Sequence, residues 1–207
     1  GSNKSAASPM RDLADGFRMV MTNQMMLVVL AVTVSANLLV FPVLMTFMPV
    51  FAEEILNVGA IGLGALMAAS GAGALVGAFV LASLGDVSWK GKAFVVGTGV
   101  SGLCMGVFGL SSSFPLSLVI LTVAGIGIAG FGVMQNALLM ILAPPELRGR
   151  AMGILMLAIG IMPFATLLHG AVASLIGVAL TTSLAGFLLA LNMLAIYIWV
   201  PGIRRLR

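Results

Sequence analysis

Six long apolar runs, none containing Lys, Arg, Asp or Glu, leave few architectures open to this chain. They cover Met25–Val50, Ala60–Leu84, Ala93–Leu110, Leu116–Leu142, Ala151–Ile176 and Val178–Val200. At ~1.5 Å per residue most of them can cross a hydrocarbon layer ~30 Å thick, and the third is at the lower limit. Composition excludes a water-facing fold. Charged residues make up 8% of the 207 residues, against roughly 25% in soluble domains, so lipid has to serve as the outside. The expected class is an all-α integral membrane bundle of six helices.

The connecting segments predict the sidedness. Lys4, Arg11 and Arg18 precede the first run, Lys90 and Lys92 join the second to the third, Arg148 and Arg150 join the fourth to the fifth, and Arg204, Arg205 and Arg207 follow the sixth. These are all ten basic residues, and the three alternate connections hold none. Basic residues favour the cytoplasmic side, so both termini are expected inside a cytoplasmic (inner) membrane. Although the pI is near 10.0, the cations are too scattered for a nucleic-acid surface. The lone Cys104 offers neither a disulfide nor a metal-site spacing, and no cofactor or metal is expected.

Residues 1–9 read as a polar linker or cloning remnant, 10–24 as a cytoplasmic interfacial segment and 25–207 as the six-helix domain. In MRDLADGFRMVM, Met10, Leu13, Phe17 and Val20 or Met21 recur at helical spacing opposite Arg11, Asp12, Asp15 and Arg18. That pattern suits a short helix lying on the membrane surface, although Gly16 weakens it. In the second run Gly73 and Gly77, with Ala69 one turn before, form a small-residue stripe that needs a close partner helix.

Three stretches resemble the carboxyl-terminal half of a major facilitator superfamily transporter of the drug- and siderophore-exporter type. DLADGFRMVMTNQMM is similar to the segment leading into the seventh helix of such exporters. ASLGDVSWKGK, residues 82–92, resembles the superfamily loop signature through Leu84, Asp86 and Lys90, with Ala82, Val87 and Trp89 in place of the usual Gly, Arg and Gly. PPELRGRAMG, residues 144–153, resembles the approach to the penultimate helix, and GIMPFATLLHG that helix's Gly/Pro pattern, with Ala165 and His169 where smaller residues are usual.

The resemblance implies half of a twelve-helix fold built as a 3+3 inverted repeat. It also implies that the first and fourth helices line a substrate cavity, the second and fifth face the other half, and the third and sixth lie outermost. The expected partners are the bilayer, an amino-terminal six-helix half or a second copy, and a small-molecule substrate. Substrate-cavity candidates are Asn37, Thr33, Gln135 and Asn136, weighed evenly against helix–helix hydrogen bonding; Asn192 fits neither scheme. Asp86, Lys90, Arg148 and Arg150 are the candidates for a cytoplasmic gate, where a carboxylate near a helix amino terminus and an arginine can pair. His169 lies 18 residues beyond Ala151, roughly 27 Å at ~1.5 Å per residue, near the outer interface, where a neutral, hydrogen-bonded ring is expected. With no carboxylate inside the runs, a proton-coupling residue is expected in the other half.

Two other classes compete with export by alternating access. One is a half-size permease acting as a homodimer. The other is a six-helix intramembrane serine hydrolase of rhomboid type, using Ser70 and His169. Ala68 stands where its GxSG motif needs glycine and no second histidine exists, so no catalytic residue is expected.

Overall fold

The computed structural model describes residues 16–18, 20–83 and 89–205. It holds six helices long and apolar enough to cross a membrane: α1 Gln24–Thr46, α2 Gly59–Ser83, α3 Lys90–Gly109, α4 Phe114–Leu142, α5 Pro145–Ile176 and α6 Val178–Trp199. The expected all-α, six-span class is therefore the observed one. The described part of the leading segment is helical over 16–18 and 20–22, with Val20 buried and Phe17 half exposed. Gly16 packs on α5, where a Cβ would come 2.8 Å from Ile154 Cδ1, the movable tip of that side chain.

Asn23 resets the chain into α1, its side-chain oxygen accepting from the backbone N–H groups of Met25 (3.0 Å) and Met26 (3.3 Å). The α1 path breaks at Val40, two residues before Pro42, which has no N–H to donate and crowds the preceding turn. A second break at Phe47 precedes Pro49, and a π-helical turn over Phe51–Ile55 continues past the expected end at Val50. Asn57 (φ 52°) and Gly59 (φ 61°) then reverse the chain in left-handed conformations. α5 opens with a 3₁₀ turn at Pro145–Leu147 and is interrupted after Ile159, ahead of Pro163. Gly177, at φ 86°, makes the tight turn into α6.

Glycine governs the packing. Gly73 of α2 faces the Thr122 carbonyl of α4, and a Cβ on Gly77 would come 2.7 Å from the Ile126 carbonyl. Reciprocally, Gly125 of α4 faces the Ser70 carbonyl. α3 carries two such faces. Gly97 meets α4 at Gly127, while Gly102, Gly106 and Gly109 meet α6 around Gly186, Phe187 and Ser183. A Cβ on Gly102 would come 2.9 Å from the Gly186 carbonyl, so only glycine permits this backbone approach. α2–α4, α3–α4 and α3–α6 are accordingly the most extensive helix contacts.

α1 closes the bundle against α4, α5 and α6, and its most apolar stretch is 61% buried. The corresponding figures are 17% for α2 and 22% for α5. α3 packs between α4 and α6, with an outward face at Val96, Leu103 and Val107. Stacked Phe94 and Phe131 (5.6 Å) and tilted Phe51 and Phe108 (4.5 Å) fill the interior. After α6 a 3₁₀ turn over Pro201–Arg205 tucks fully buried Ile203 against α3 and α1.

Candidate functional site

Helical spacing puts Thr33 and Asn37 one turn apart on α1, and the bundle brings that face against Gln135 of α4. All three are at most 5% exposed. Thr33 Oγ1 lies 2.9 Å from the Val29 carbonyl and 3.2 Å from the Gln135 side-chain amide. The Thr33 hydroxyl donates to the Val29 carbonyl or to Gln135 Oε1, one acceptor at a time, and only the second bond joins α1 to α4. Asn37 Nδ2 donates to the Thr33 carbonyl at 2.9 Å. One turn further from the α4–α5 connection, Phe131 packs on Phe41 of α1 (5.4 Å) and Phe94 of α3. This polar tier thus lies inside the bundle beneath an aromatic layer.

Asn136 points elsewhere. It is exposed and donates to the Gly132 carbonyl of its own helix at 3.3 Å. The structure therefore brings Thr33, Asn37 and Gln135 together and leaves Asn136 on an open face with Val133 and Met140. A second open surface is an apolar groove of about 500 Å³ between the leading segment, α1 and α5, where Ser35 is the one polar wall residue among Leu27, Leu30, Val34, Ile154 and Leu157. The sequence places Ser35 beside Thr33 and Asn37 in the first run, and its facing toward the groove comes only with the backbone.

Of the gate candidates, Asp86 lies outside the described residues. Lys90 is the first residue of α3; Arg148 and Arg150 begin the regular helix of α5, with Arg148 exposed and Arg150 half buried. A Cβ on Gly16 would come 3.6 Å from Arg150 Cβ, which places Arg150 beside the leading segment. The first turn of α3 and the turn from Arg148 to Ala151 hold no acidic residue, while the 3₁₀ turn that opens α5 carries Glu146. Cations thus sit where the helix dipole favours anions.

His169 is buried in the second half of α5, with Nδ1 donating to the Ala165 carbonyl of its own helix at 2.8 Å. Ser70 belongs to the face of α2 that packs on α4 at Gly125, and its backbone carbonyl makes that contact.

The chain matches the family model described as Major Facilitator Superfamily over residues 13–206. It belongs to the major facilitator superfamily. The superfamily is one of membrane transporters, and with six apolar helices this member is a multi-pass membrane protein in contact with the lipid bilayer, acting on a small-molecule substrate. No curated protein and no solved structure matches the chain.

Proposed function

We propose that these six helices are the carboxyl-terminal half of a twelve-helix secondary transporter of the drug- and siderophore-exporter type, moving a small molecule out across the cytoplasmic membrane by alternating access. The observation that carries this reading is a set of small residues with nothing to pack on. Besides the stripe that meets α4, α2 has Gly64 and Gly71 with no atom of the described residues within 4 Å of a Cβ built there, and α5 has Gly149 and Gly153 in the same condition. Seven and four residues are whole turns of a helix, so each pair lies along one face. Helices use such faces for close contact with other helices, and α2 and α5 are the two least covered in the bundle. A second six-helix body supplies that contact. A second copy of this chain is the competing occupant of the same face.

In this reading the open walls of α1, α4 and α5, with Ser35 and Asn136, border the substrate path, while Thr33 and Gln135 join α1 to α4 and Asn37 is tied back to α1. Asp86, Lys90, Arg148 and Arg150 form the cytoplasmic gate. A carboxylate from the loop before α3 offsets the cations at the amino termini of α3 and α5 when the gate is shut. The test uses the transporter carrying Cys104→Ala and Ser35→Cys. Asp86→Asn is expected to raise maleimide labelling of that cysteine from the cytoplasmic side by about fivefold or more, the span of an ordinary allosteric coupling. Unchanged labelling would remove Asp86 from the gate.

A further inference from the structure

α2 and α3 both dock closely on α4 but make far less contact with one another. The wedge between them is a groove of about 510 Å³, floored by Gly97, Gly127 and Gly130 and walled by Val76, Val80, Val96 and Ile126. Glycine is the cause: it lets each helix sit close to α4 while offering no side chain to fill the space beside the crossing. From Lys92 to Val100 the groove follows α3 for eight residues, about 12 Å, which is most of one leaflet of a ~30 Å hydrocarbon core. It lies about 120° around α4 from Asn136, since six residues separate Gly130 from Asn136. It is therefore separate from the wall assigned to the substrate path.

The end of the groove is chemically different from its length. Trp89 (42% exposed) and Lys92 (exposed) stand at its mouth, at the start of α3, on the end of the bundle that also carries Arg148 and Arg150. An indole there suits the polar–apolar boundary of a bilayer, and an exposed ammonium suits a phosphate at headgroup depth. We infer that this groove binds an anionic phospholipid, one acyl chain lying along the glycine floor between α2 and α3 and the headgroup phosphate paired with Lys92. A membrane-spanning protein cannot leave an apolar cleft of this size dry and empty, and the charge at the mouth selects among the lipids that surround it.

Only two tryptophans occur in the chain, so Trp199→Phe leaves Trp89 as the single reporter. The full chain carrying this change is reconstituted in vesicles containing brominated phosphatidylglycerol or brominated phosphatidylcholine, and quenching of Trp89 is read against lipid fraction. Phosphatidylglycerol is expected to be preferred by about fivefold, the selectivity one lysine near the surface provides. Lys92→Gln should abolish the preference, and so should Val96→Phe, which narrows the groove at a position already 49% exposed and leaves Lys92 in place. Equal quenching by both lipids in the parent chain, or a preference that survives Lys92→Gln, overturns the site. A preference that survives Val96→Phe but not Lys92→Gln also overturns it, since attraction to the charged surface would then act without the groove.

Discussion

At the scale of single residues, the polar groups of the bundle interior hold helices together across an apolar surround. Without Gln135 the Thr33 hydroxyl still has the Val29 carbonyl to donate to, so the interhelical part of the network is separable. A double-mutant cycle of Thr33→Val and Gln135→Leu is expected to show a coupling of about 0.6 kcal/mol, and no more than ~1.7, measured by unfolding in mixed micelles. A coupling of zero would mean that the two side chains do not meet. The sequence displayed Thr33, Asn37, Gln135 and Asn136 equally, as rare polar groups in apolar runs. It did not separate the inward three from the outward one, because helices apolar all round have no polar face to fix their rotation. That His169 takes a hydrogen bond was legible, but its partner, the Ala165 carbonyl one turn back, came only with the backbone.

At the scale of elements, glycine spacing reads well on α2 and less well on α3. Gly73 and Gly77 stand out as a four-residue repeat, whereas the five glycines of α3, from Gly97 to Gly109, overlap in sequence and divide between α4 and α6 only in three dimensions. The division sorts glycines into those that tolerate side chains and those that do not. Gly186→Ala pushes a methyl group toward the Gly102 carbonyl and is expected to destabilise the bundle by about 1–3 kcal/mol in thermal or denaturant unfolding. Gly71→Leu, with open space around it, should leave the unfolding of this bundle unchanged while preventing docking of a second body on α2. If both variants unfold alike, the α3–α6 contact is not as close as described. The break before Pro42 follows from its missing N–H, which has the same effect in any helix; the π-helical turn after Pro49, carrying Glu53 and Glu54, has no comparable sequence mark.

At the scale of the whole molecule, charge divides the chain into four uncharged stretches, and the breaks at SSSFP and Gly177 split the two longest to give six spans. Charged residues mark the connections before α1, α1–α2, α2–α3, α4–α5 and after α6, whereas the α3–α4 and α5–α6 turns are marked by serines, proline and glycine; Lys90 and Lys92 fall inside the first turn of α3. What charge does not encode is which helices are covered. α2 and α5 are as apolar as the rest and yet the least buried, with outward faces of Gly64, Gly71 and Leu75 on one and Gly153, Phe164 and Leu167 on the other. Nitroxide labels at Leu75→Cys and Phe164→Cys, compared with labels at Leu103→Cys and Leu184→Cys in the Cys104→Ala transporter in lipid vesicles, test the proposed half-transporter directly through their accessibility to dissolved oxygen. All four positions are exposed in the six-helix bundle. The labels at positions 75 and 164 should read as protein-buried, and those at 103 and 184 as lipid-facing. Equal, lipid-like accessibility at all four positions would contradict the proposal that another body covers α2 and α5.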